Sequence, residues 1–168
     1  MQSCTLNAME WLERNAPGFR DLTTEDRSCI LQFALLWSFF EAKALQARAS
    51  AQAIRRLAGE WEAQGRIRPS DFAASLLYFR ERYSSGGHET IAFARLKLRS
   101  RDYPSLVRGV LEGTNNQSAD SVAALLIVVY RLRNNLFHGE KWAYEMKDQR
   151  SNFEQANEVL MKAMAYVA

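Results

Sequence analysis

The sequence predicts an all-α protein, a helical bundle of about four main helices with short accessory ones. Three observations predict it. Apolar residues recur at three- and four-residue steps along most of the chain, the spacing that lines one face of a helix. No proline interrupts the long stretch between Pro17 and Pro69. No run of alternating apolar and polar residues closes on a turn in the manner of a hairpin.

Taken in order, Leu6, Met9 and Leu12 predict a short first helix, stopped by Asn15-Ala16-Pro17-Gly18. Thr23-Thr24-Glu25-Asp26 supplies a capping oxygen and first-turn carboxylates for a second start. Ile30, Phe33, Trp37, Phe40, Ala44 and Ala47 then form the clearest helical stripe. It runs toward Gly59 or Gly65, with Ala49-Ser50-Ala51 read as either a break or continuous helix, and Trp61 near its end. Pro69-Ser70-Asp71 opens a further helix carrying Phe72, Leu76, Leu77 and Phe79. That helix ends before Ser84-Ser85-Gly86-Gly87, read as the most flexible stretch. Residues 88–102 are open between a short helix and an extended arm. A short helix over Tyr103–Glu112 ends at Gly113. A long apolar helix is expected from about Ala119 to Phe137, stopping at His138-Gly139. A last one is expected from about Ser151 to Val167, with Phe153, Ala156, Val159, Leu160 and Met164 inward.

The 168 residues read as one domain, 1–168, long enough for a core without disulfide or metal staples. Hydrophobic residues make up 48% and charged ones 24%, ordinary for a globular chain. The longest apolar run, Val122 to Val129, is far short of the roughly 20 residues of a membrane span. The first residues lack the pattern of a secretory signal. Cys4 and Cys29 form no Cys-x-x-Cys pair and fit no zinc pattern, and Cys29, before Ile30 and Leu31, reads as a core filler. A reducing, cytoplasmic setting is expected. Phosphate-loop, dinucleotide and nucleophile-elbow signatures are absent, and no cofactor or metal is expected.

Net charge is +3, and its distribution says more. Residues 48–108 carry twelve basic and six acidic side chains, whereas both flanks are slightly acidic. Arginine accounts for 17 of the 22 basic residues. Its planar fork suits bidentate phosphate contact, so the basic third either attracts nucleic acid or is a solvated face.

One constellation stands out. On the helix after Ser121, the residues Leu126, Val129, Arg133, Leu136 and Phe137 fall on one side, with Arg131 and Asn135 opposite and read as solvated. Arg133 thus occupies a position suited to leucine. A charge there needs a carboxylate, a dimer partner or an anionic ligand, unless its stem snorkels outward. His138 lies five residues on, about 140° round an ideal helix, so the two converge only where the helix ends. Gly139 is a fitting cap for that end, and a histidine in a last turn is favoured in its protonated form. A helix-capping histidine is the alternative. Glu41 sits about 80° round its helix from Phe33, at the edge of the apolar stripe. It is a candidate partner for Arg133, the alternatives being Arg48 or solvent. His88-Glu89 lacks the second histidine of a zinc-protease pattern and reads as surface.

The run Tyr130-Arg131-Leu132-Arg133-Asn134-Asn135-Leu136-Phe137-His138-Gly139-Glu140-Lys141 resembles the signature of HEPN domains: arginine, a polar residue, three or so variable residues, then histidine. The detailed match covers about twelve residues, with the all-helical setting extending it loosely over the chain. The resemblance implies a helical bundle pairing with a second copy around a shared cleft. It implies an endoribonuclease that needs no metal and uses the substrate 2′-hydroxyl as nucleophile, in the role of a toxin or phage-defence effector, with RNA and a regulatory partner or antitoxin as associates. Arg133, Asn134 and His138 would be its catalytic residues, Arg133 stabilising phosphate charge, His138 moving protons and Asn134 orienting the histidine or contacting phosphate. Glu41 would be a supporting residue. In some HEPN toxins a tyrosine two residues after the histidine is modified by a nucleotidyltransferase antitoxin; here that position is Glu140 and the next tyrosine is Tyr144. Other HEPN proteins are non-catalytic modules that bind RNA, nucleotide or a protein partner, and a plain helical interaction protein is the third reading.

Overall fold

The computed structural model describes residues 7–137 and 149–167. Eight α-helices make up nearly all of the regular structure among them: α1 Ala8–Asn15, α2 Thr24–Ala44, α3 Ala51–Ala63, α4 Pro69–Tyr83, α5 Ile91–Ala94, α6 Pro104–Leu111, α7 Ser118–Phe137 and α8 Arg150–Met164. Single 3-10 turns occur at Phe19–Asp21 and Ser100–Asp102. The all-α bundle expected from the sequence is what forms.

Local signals explain most boundaries. Thr23 caps α2 reciprocally: its hydroxyl accepts from the Asp26 amide at 3.1 Å, and the Asp26 carboxylate accepts from the Thr23 amide at 3.0 Å. Ser50 caps α3 by accepting from the Ala53 amide. The stripe after Ile30 is therefore two helices. The chain leaves α2 through Gln46 and Ala47, both at positive φ, and Ala47 lies outside the helix that the periodicity assigned it to. The long helices consequently number five among the described residues: α2, α3, α4, α7 and α8.

At the bundle's centre runs α7. Every side chain from Val122 to Val129 is buried, and the helix touches α3, α4, α6 and α8. A helix apolar all round belongs in a core. The other main contact joins α2 to α8, where the Phe33 and Phe153 rings lie 5.0 Å apart. Cys29 fills that interface, buried as its neighbours suggested. Tyr166 anchors the chain after α8 to the α3–α4 connection: its hydroxyl donates to Asp71 and accepts from the Arg68 amide.

One local reading is corrected and another is resolved. Ser84-Ser85-Gly86-Gly87 opens a minimal hairpin, with β1 Ser84–Ser85 paired antiparallel to β2 His88–Glu89. Gly86 and Gly87 both have positive φ, the conformation that a two-residue hairpin turn demands and glycine adopts without strain. Of the two readings left open for 88–102, a short helix is the one that forms: α5 lies between β2 and a 3-10 turn, and the segment folds against α4 and α3.

Candidate functional site

The site is built at the C-terminal end of α7, where the helix emerges from the bundle. Leu126, Val129 and Leu136 are buried, as their shared face implied, but Phe137 on the same side is 56% exposed. Arg133 stands between these conditions, with its side chain 32% exposed. It is not a core charge, and its position costs far less than full burial would.

Three groups surround the Arg133 guanidinium. Its Nη1 donates to Oδ1 of Asn134 at 3.1 Å. Its Nη2 lies 4.0 Å from Oε2 of Glu41 on α2. The guanidinium carbon sits 5.2 Å above the Phe137 ring, one helical turn on, a cation–π arrangement. Nε is buried and has no hydrogen-bond partner among the described residues. Asn134 is itself buried, so the amide that touches Arg133 cannot swing freely.

Glu41 is held as firmly as the arginine. The indole Nε1 of Trp37, one turn earlier on α2, donates to Glu41 Oε2 at 2.9 Å. The backbone amide of Ala49, in the α2–α3 connection, donates to Oε1 at 3.4 Å. Trp37 in turn packs on Tyr130, ring centroids 5.8 Å apart, and Tyr130 precedes Arg133 by three residues on α7. The ion pair that Glu41 makes is thus with Arg133, the first of the partners its position offered. Trp37 and Tyr130 were missed as members of the site. Their signal was available, because residues three and four apart share a helix face with Glu41 and Arg133.

The opposite side of α7 overturns an expectation. Arg131 and Asn135, read as solvated, are buried. The Arg131 Nη1 pairs with Asp102 at 3.5 Å, both side chains at most 5% exposed, and its Nε donates to the Leu96 carbonyl at 3.0 Å. Asn135 Nδ2 donates to the carbonyls of Arg95 and Leu96. Residues 95–102 wrap this face and offer carbonyls and a carboxylate in place of water. Burial pushes the Arg131 guanidinium below its ordinary value, while the Asp102 charge pulls it back up.

His138, Gly139, Glu140, Lys141 and Tyr144 lie outside the described residues, as does Cys4. Arg133, Asn134 and Glu41 are brought together; the histidine's place relative to them is not part of the described structure. His88 is exposed on β2, in keeping with a surface role. Among the described residues no three His, Cys, Asp or Glu side chains gather as a metal-binding group. No helix there is long and apolar enough to cross a membrane.

Beside the site lies apolar surface. Leu31, Leu35 and Phe39 project from α2 at four-residue intervals, 55%, 63% and 53% exposed. A groove of about 200 Å³ between α1, α2 and the end of α7 is lined by Met9, Leu12, Ile30, Leu31, Leu136 and Phe137, among others. Phe137 therefore borders both the groove and the Arg133 guanidinium. No family model, curated protein or solved structure matches this chain.

Proposed function

We propose that this protein is a HEPN-type endoribonuclease that cuts RNA without a metal ion, with Arg133, Asn134 and His138 at a cleft shared by two copies. The observation that carries the reading is the state of Arg133. It is a guanidinium on a side chain 32% exposed, oriented by Asn134, Glu41 and Phe137, at the end of α7 rather than deep in the bundle. Such an arginine is pre-aimed for a phosphate while its stem is fixed, which is how a charge stabiliser acts without reorganising.

The chemistry suits these residue types. A base removes the proton of the 2′-hydroxyl, the 2′-oxygen bonds to phosphorus, the P–O5′ bond breaks, and an acid protonates the departing O5′. The products are a 2′,3′-cyclic phosphate and a 5′-hydroxyl. Because the nucleophile belongs to the substrate, no metal-bound water is required. Each proton transfer contributes on the order of 10²–10⁴-fold. One copy supplies one motif histidine, whereas a two-fold dimer supplies two. The exposed stripe Leu31, Leu35, Phe39 and Phe137 supports pairing through this end of the bundle. A toxin or phage-defence role, under a regulatory partner in the cytoplasm, belongs to the same proposal.

A second reading rests on the Glu41 contact. A carboxylate 4.0 Å from Arg133 offsets its charge, as in a non-catalytic module that uses the pair structurally and binds RNA, nucleotide or protein elsewhere. Incubating end-labelled tRNA, messenger and phage RNA with purified protein in EDTA separates the two. Cyclic-phosphate ends, lost in His138→Ala and Arg133→Ala, are expected. Cleavage that survives His138→Ala would end the mechanism, and no cleavage of any RNA would favour the binding module.

A further inference from the structure

A second feature adjoins the Arg133 site. A cleft of about 550 Å³ opens between the start of α3 and the 3-10 turn Ser100–Asp102, with Tyr130 of α7 in its wall. That volume falls within the roughly 300–1,000 Å³ of typical ligand pockets. Its walls include Ala49, Gln52, Arg101, Tyr103 and Tyr130.

The lining is chemically selective. Two partly buried phenol rings, Tyr103 and Tyr130, form part of it. Arg55, outside the lining, is stacked over the Tyr103 ring, its guanidinium carbon 4.9 Å from the centroid, so a second cation stands beside that wall. Arg101 is exposed at the rim. The one carboxylate in the lining, Asp102, is 2% exposed and already engaged by Arg131 and by the Arg99 amide at 2.8 Å. It therefore does little to repel an anion. Arg48, Arg55, Arg99 and Arg101 all belong to the basic third of the chain, whose surplus positive charge the Arg133 site does not use.

The cleft is also wired to Arg133. Ala49, in its wall, gives its amide to Glu41, the carboxylate beside Arg133. Tyr130, in the same wall, packs on Trp37, which donates to that carboxylate. A strand whose phosphate faces Arg133 would pass Tyr130 about one helical turn away.

We propose that this cleft holds one nucleotide of the RNA strand next to the phosphate at Arg133, its base against Tyr103 and Tyr130 and its phosphate facing Arg101. The assignment rests on the reading of Arg133 as a phosphate site. Stacking on aromatic rings together with arginine is the usual way single strands are gripped without sequence preference.

Fluorescence anisotropy with a labelled, single-stranded 2′-O-methyl oligonucleotide tests it, because that probe binds but has no free 2′-hydroxyl to attack with. Tyr103→Asn removes the ring while keeping a residue that tolerates the left-handed backbone found there (φ 52°). It should weaken binding about tenfold. Arg101→Ala, at an exposed position, should reduce the slope of log affinity against log salt by about one. Arg56→Ala, on α3 outside the cleft and paired with Glu60, should change affinity less than about twofold. Unchanged binding in Tyr103→Asn and Arg101→Ala, an equal loss in Arg56→Ala, or no binding by the wild type would overturn the proposal. So would a free mononucleotide that competes as well as the strand. Binding that depends on Tyr103 in a protein that cuts no RNA would sink the nuclease reading and leave the cleft standing. Cleavage by a protein whose cleft variants bind and cut normally would do the reverse.

Discussion

Oε2 of Glu41 lies 4.0 Å from Nη2 of Arg133, a single ion pair joining the end of α2 to the end of α7. Its neighbours decide what it is worth. Both side chains are partly open to solvent, so the pair alone contributes little, about 0–1 kcal/mol. The carboxylate, however, also receives the Trp37 indole N–H, and Trp37 is 2% exposed. Glu41→Gln keeps an acceptor for that indole and should cost under about 1 kcal/mol. Glu41→Ala leaves a buried donor unsatisfied and should cost about 1–3 kcal/mol. Urea unfolding of the two variants checks the order; equal losses would show that Trp37 does not depend on Glu41.

Arg133→Lys tests geometry against charge. Lysine keeps the charge but loses the planar fork that meets Asn134 and Glu41 and that would grip a phosphate in two places. If Arg133 stabilises phosphate charge in the reaction, RNA cleavage should fall by at least about 10²-fold in Arg133→Lys, with thermal stability little changed. Activity within about threefold of wild type would show that only charge at this position matters.

Across α7, Arg131 and Asp102 form a buried pair with a different signature. Removing one partner leaves the other charge uncompensated, so Asp102→Ala and Arg131→Met should each cost about 3–5 kcal/mol. The double variant leaves no orphan charge and should be more stable than the sum of the singles predicts. Strict additivity in a double-mutant cycle would mean the two do not interact.

These two arginines also mark where the sequence could be read and where it could not. Helical periodicity placed α7 and its apolar centre, but it set Arg133 where a leucine would sit, whereas the side chain is 32% exposed beside Glu41 at the end of the helix. Edge position on α2 was enough to single out Glu41. The same periodicity misjudged Arg131 and Asn135, because it treats a helix as having a wet side. Here residues 95–102 cover that side and supply Asp102 and the Arg95 and Leu96 carbonyls. That covering is a contact over some 30 to 40 residues of chain, set by how the segment after the hairpin folds back, and no local pattern encodes it. The hairpin itself hid in Gly86-Gly87, where positive φ at both residues makes a tight turn but reads as flexibility.

Alkaline conditions should destabilise the fold. Burial pushes the phenol of Tyr83 far above its ordinary value of 10.0, and raises the Cys29 thiol above 9.0 with help from the Glu154 carboxylate. In both cases the folded chain retains a proton that the unfolded chain releases. Their stabilisation is fully present below pH 9 to 10 and is lost as pH climbs toward the folded values. The urea midpoint should therefore fall steadily from about pH 9 to pH 11. Tyr83→Phe keeps the ring stacked on Phe79 and should flatten part of that decline. A decline of unchanged steepness in Tyr83→Phe would assign it to other groups.

Pairing of two copies can be tested at the apolar stripe without touching the arginine. Leu35 and Phe39 point outward from α2, 63% and 53% exposed, and make no call on the core. A glutamate at either position should fold normally, since neither side chain fills a cavity. In an interface, the same glutamate would bury an unpaired charge and cost several kcal/mol, about enough to dissociate a micromolar dimer. Sedimentation should then show the wild type at twice the 19.2 kDa chain mass and Leu35→Glu or Phe39→Glu at the single mass. RNA cleavage should fall with the dimer, because each cleft would lose the histidine of the second copy. A wild type that sediments as one chain at high concentration would remove the shared cleft, and a dimer that survives both glutamates would move its interface to another face.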